Sequence, residues 1–130
     1  MIIRPQLSAS VSRRLGSMTV KFSYHHLGIP TREMVAGMVH LEHLKVYATD
    51  HESNPFGIQW MLYEEGCNLP EIVRTVPHVA FEVDDLRDAL KDKKVIIEPN
   101  SPSPGVIVAF IEEAGAPIEF LEFVDKGPLK

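Results

Sequence analysis

One cysteine, Cys67, is all the chain contains, so no disulfide can form within it and a reducing cytoplasm is the expected compartment. No apolar stretch approaches the roughly 20 residues that a bilayer span needs, and the uninterrupted apolar segment of a secretory signal is missing too. Acidic residues are lacking from residues 1–32, which hold Arg4, Arg13, Arg14, Lys21 and Arg32. The formal net charge of −5 therefore belongs to the rest of the chain, and such a body repels nucleic acid. There is no glycine-rich loop to cradle a phosphate and no nucleophile elbow. Cys67, after the turn Glu64-Glu65-Gly66, reads as incidental rather than as a nucleophile. Membrane, nucleic-acid and P-loop classes are thus set aside, and a small-molecule substrate or ligand is the expected partner.

What remains is a sequence of 130 residues, 45% hydrophobic and 24% charged, which suits one soluble domain around a single core. Residues 1–21 are basic and serine-bearing. They are expected to be a disordered extension; a faint transit-peptide character is the other reading, and Met18 is an alternative start. The domain is expected over 22–125, with a short tail at 126–130.

Within the domain, KFSYHHLGIP reads as a strand that Pro30 ends. Thr31 is placed to cap a helix through REMVAGMVH. LEHLKVYAT alternates, with Leu44, Val46 and Ala48 on one face and His43, Lys45 and Tyr47 on the other. DHESNPFG is turn chemistry, and IQWMLYE is another strand. The second half repeats the order. PHVAFEV is a strand, and Asp84 or Asp85 caps a helix carrying Leu86, Ala89 and Leu90. VIIEP is a short strand stopped by proline, NSPSPG a loop, and VIVAFIEE and PIEFLEF are strands. His26-Leu-Gly-Ile matches His78-Val-Ala-Phe, and the Ile58-Gln59 strand matches the Ile118-Glu119 strand, so the chain reads as an internal duplication whose first copy has lost a strand. If Leu27, Ile29, Val79, Phe81 and Val83 face a helix-covered core, then alternation sends His26, Gly28, His78 and Glu82 to the opposite face. Gln59, Met61 and Tyr63 share one side, as do Glu119, Leu121 and Phe123. His25 and Trp60 then point away from the cleft. Lys91, Lys93 and Lys94 read as a solvated helix face, and His40, His43 and His51 fit no metal motif.

The phrases HHLGIPT, HVAFEVDDL and GAPIEFLEF resemble the vicinal oxygen chelate superfamily, which includes glyoxalases, methylmalonyl-CoA epimerases, extradiol dioxygenases and bleomycin-resistance proteins. The resemblance implies an α+β fold of paired βαβββ modules, one over 22–66 and shortened, the other over 74–125, whose curved sheets form a cleft. It implies one divalent metal ion, of Zn, Co, Ni, Mn or Fe, held by His26, Gln59, His78 and Glu119. Two imidazoles, an amide oxygen and a carboxylate suit such an ion and leave positions open for an oxygen-rich substrate. The activity implied is that of an isomerase, epimerase or lyase that stabilises an enolate as a proton leaves the adjacent carbon. Lys45, His43 and Glu82 are the candidate acid–base residues. A metal-free binding protein of the bleomycin-resistance kind and an extradiol-dioxygenase-like oxygenase are the alternatives. A homodimer is expected by analogy with the superfamily.

Overall fold

The protein is described by a computed structural model that covers the backbone of residues 10–15 and 18–124 and the side chains of 21–124. Nine strands follow in order: β1 Ser10–Leu15, β2 Met18–Pro30, β3 Val39–Leu41, β4 Val46–Ala48, β5 Ile58–Tyr63, β6 His78–Val83, β7 Lys94–Ser103, β8 Val106–Glu113 and β9 Ala116–Phe123. Two short helices, α1 Glu71–Thr75 and α2 Leu86–Leu90, interrupt them. The strands form one curled mixed sheet in the order β3-β4-β5-β2-β6-β9-β8-β7, with β1 paired to β2 outside that path. This is an α+β fold. At its centre β2 and β6 run antiparallel; β5 lies parallel to β2 and β9 parallel to β6.

Alternation along the strands separates two environments. On the convex side Val83, Ala109, Ile111 and Phe120 pack with Leu86 and Ala89 of α2, and Phe22 stacks on Phe120 with ring centroids 5.5 Å apart. Asp85 caps α2 by accepting the Asp88 N–H, as the sequence leads one to expect. On the concave side Ala80, Val106, Val108 and Leu121 form a second apolar cluster.

The first half departs from expectation. No helix forms through 32–40; the segment is bends and turns before β3. Gly37 adopts φ +89°, a left-handed conformation foreign to a helix, and the Thr31 hydroxyl accepts the Glu33 N–H in a local turn instead of capping one. The expected loss of a strand from the first half is not seen, since β2, β3, β4 and β5 number four, as do β6, β7, β8 and β9. Proline does not stop β7, which runs on through Pro99 and Pro102. The sheet order explains this: β7 is an edge strand, and its pairing with β8 carries register shifts that free the proline positions from donating. Of the extension expected over 1–21, residues 10–15 and 18–21 are strand, paired antiparallel in β1 and β2, while residues 1–9, 16 and 17 lie outside the described residues, as does the tail at 126–130. Among the described residues no helix is long and apolar enough to cross a membrane.

Candidate metal site

Two rows of residues cross the centre of the sheet. In one, Gln59 of β5, Gly28 of β2 and His78 of β6 stand in register; in the other, His26 of β2, Ala80 of β6 and Glu119 of β9 do. Cross-strand neighbours share a face, so both rows aim at the concave side. The small residues Gly28 and Ala80 leave the space above them to the imidazoles. His78 is 2% exposed and His26 5%, and Glu119 is buried beside them.

The three side chains meet. His78 Nε2 lies 3.1 Å from Glu119 Oε1 in a hydrogen bond, while His26 Nε2 lies 3.2 Å from the same oxygen without hydrogen-bond alignment. One ligand atom from each of the three falls within 4.8 Å of the others. His26 Nε2 and His78 Nδ1 are buried and have no hydrogen-bond partner among the described residues. Buried polar atoms left in that state are costly unless something pairs with them. Two imidazoles and a carboxylate with unused nitrogen positions are a donor set that a first-row divalent ion fits. The cluster can therefore hold a metal ion.

The cluster forms part of the lining of a cavity of about 300 Å³ whose walls are largely apolar, with Leu44, Val46, Met61, Val73, Val108 and Phe110 among them. Gln59 and Tyr63 also line it, as alternation along β5 predicts. Phe110 packs edge-on against His78, centroids 5.0 Å apart. The link between the two halves supplies one wall through Leu69 and Val73, the latter 1% exposed in α1.

Burial works to raise the Glu119 pKa, but the two imidazoles of His26 and His78 against its carboxylate outweigh it and hold the carboxyl at about 2. His25 is lowered to about 4, first by burial and then by the neighbouring His26 and His51. Burial, then the Glu119 and Cys67 charges, push the Tyr63 phenol upward, so it stays protonated and can donate. For the metal-free protein these shifts give one sign. The unfolded chain protonates His25 near 6.5 whereas the fold resists until about 4, so stability is full above 6.5 and declines as pH falls through that window. A second decline follows as pH falls from the ordinary carboxyl value of 4.5 through about 2, where folded Glu119 takes its proton. Urea unfolding across this range checks both, and His25→Leu should flatten the first decline only.

The three candidate acid–base residues are not at the site. His43 is exposed and its Nε2 lies 3.3 Å from the Pro102 carbonyl oxygen, Lys45 is exposed at φ +57°, and Glu82 is exposed beyond Ala80 on β6. The alternation of Leu44, Val46 and Ala48 against His43, Lys45 and Tyr47 holds, and it is the apolar side that meets the cavity. Val46 pairs with Tyr63 and Ala48 with Met61, so the apolar residues must share the cavity face. That face is an apolar wall rather than a polar one.

Two histidines missed in the sequence stand there instead. The β2–β6 register shifts between Tyr24 and His26, making His25 the extra residue of a β-bulge. Its ring is turned to the cavity side, with Nδ1 2.8 Å from His26 Nδ1. His51, in the turn expected at DHESNPFG, packs on His25 with centroids 4.3 Å apart and has Nδ1 3.4 Å from Asp50 Oδ1. The doublet His25-His26 is the only signal of the first, and alternation read without a bulge misassigns it.

No family model and no curated protein matches the sequence. Among solved structures, a hypothetical protein from Bacillus halodurans is similar, with 18% identity, a TM-score of 0.56, and coverage of 83% of this chain and 99% of that one. At that identity the likeness concerns the fold alone.

Proposed function

We propose that the chain is a metal-dependent enzyme of the vicinal oxygen chelate type, an isomerase, epimerase or lyase acting on a small oxygenated molecule that is otherwise apolar and neutral. The observation that carries this is the meeting of His26, His78 and Glu119 within the lining of a largely apolar cavity. The order of the sheet supports the kinship: outward from β2 and β6, each side has a parallel neighbour followed by two antiparallel strands. On this reading 22–66 and 74–125 are two related modules, the first without its helix, and Gln59 stands to Gly28 as Glu119 stands to Ala80, which makes it the fourth ligand.

A bound divalent ion supplies Lewis acidity toward a substrate oxygen. The chain supplies the rest. Tyr63, held protonated, donates to that oxygen or its neighbour. His51, with Nδ1 toward Asp50, has its other nitrogen for proton transfer at the cavity wall. The apolar walls exclude water and strengthen these polar contacts. No lysine or arginine is among the described residues of the lining, so apart from the bound ion no cationic side chain there pairs with a second, remote anionic group of a substrate.

Solvent deuterium exchange into short neutral 2-hydroxyketones, followed by NMR, tests the reading. Metal-loaded wild type should exchange the hydrogen next to the carbonyl, and His78→Ala should not. Tight metal binding without any exchange would remove the isomerase reading. One observation favours a second reading: the compact trio is two histidines and one carboxylate, the ligand set of non-haem iron oxygenases. Oxygen uptake with neutral catechols in the iron-loaded protein would select that activity.

A further inference from the structure

His25 is the residue that simple alternation assigns to the far face of the sheet and that the bulge returns to the cavity. There its Nδ1 comes to 2.8 Å from the Nδ1 of His26, a hydrogen-bond distance that requires a single proton between two nitrogens. Two arrangements satisfy it. If His25 donates, His26 accepts at Nδ1 and carries its own proton at Nε2, and that atom is buried without an aligned partner among the described residues. If His26 donates, its Nδ1–H is satisfied and Nε2 presents a lone pair to the cluster. A lone pair 3.2 Å from a carboxylate oxygen is unfavourable by itself and becomes favourable when a cation lies between them. The second arrangement is therefore the one a metal site uses, and His25 is held for it by ring packing on His51 and on Phe123, centroids 4.3 and 5.8 Å away.

We propose that His25 is a positioning residue whose Nδ1 accepts the Nδ1–H of His26, fixing His26 in the tautomer that offers Nε2 to a divalent cation. The proposal rests on the metal reading above, because the cation is what favours a bare Nε2 beside Glu119. Partners of this kind orient metal-ligating histidines and sustain their basicity, and their loss generally weakens the site by about 10–100-fold. Here the partner is a second imidazole, brought into place by one extra residue in a strand.

The test combines ring-nitrogen NMR of the zinc-loaded full chain with zinc titration against a chelating competitor. In wild type, His26 should carry its proton at Nδ1, shielded from solvent exchange, and bind zinc through Nε2. His25→Leu keeps bulk but removes the acceptor: zinc affinity should fall by about 10–100-fold and the His26 Nδ1–H should lose that shielding. His25→Asn places an amide oxygen near the lost Nδ1 and should restore the shielding and most of the affinity. A zinc-loaded wild type whose His26 binds through Nδ1 or lacks the Nδ1 proton would overturn the inference, as would His25→Leu with unchanged zinc affinity and shielding. If wild type takes up no zinc, the metal reading fails and the inference fails with it.

Discussion

Gly28→Ala should dislodge the His78 imidazole and take metal binding with it. A Cβ at Gly28 would lie 2.1 Å from His78 Cε1, 2.6 Å from Nε2 and 2.7 Å from Nδ1, distances no pair of atoms tolerates. The constraint is one of space, because Gly28 is not among the glycines with positive φ. Relief has to come from the ring, which is 2% exposed and pressed on its other side by Phe110. Overpacking of this kind costs about 1–3 kcal/mol, and moving a ligand should weaken zinc by more than the roughly 100-fold that loss of an outer partner can cost. Urea unfolding of the metal-free variant and zinc titration read the two effects separately. Wild-type zinc affinity in Gly28→Ala would show that His78 does not bind the ion from its observed place.

Glu119→Ala should abolish the stabilisation that metal confers. A ligand that binds only the folded state adds about 2.7 kcal/mol when present at about 100 times its dissociation constant. Wild type should show that gain on zinc addition, and Glu119→Ala none, because two imidazoles remain without the anion that unites them. Thermal unfolding with and without zinc measures it. An equal gain in both proteins would place the ion elsewhere.

Much of the site was legible because the phrases around His26, His78 and Glu119 lie in regular central strands, where a period of two residues sorts faces dependably. Gln59, Met61 and Tyr63 sort correctly for the same reason. Alternation failed where the backbone departs from a plain strand. The bulge at His25 reverses the face of one residue. It leaves no mark in hydrophobic pattern. The helix expected over 32–40 failed through a glycine that takes a left-handed turn, and α1 escaped notice because five residues carry too little periodicity to stand out. The helix at Leu86–Leu90 was readable because an aspartate cap precedes an apolar repeat. Assigning catalysis to Lys45, His43 and Glu82 assumed a polar cleft, whereas the concave face is walled by aliphatic side chains.

Metal content bears most directly on whether His26, His78 and Glu119 form a cation site. Plasma mass spectrometry on untagged protein, wild type beside His26→Ala, should find about one first-row divalent ion per chain in wild type and essentially none in the variant. Wild type that carries no such ion and takes up none when offered zinc, cobalt, nickel, manganese or ferrous iron would contradict the metal site.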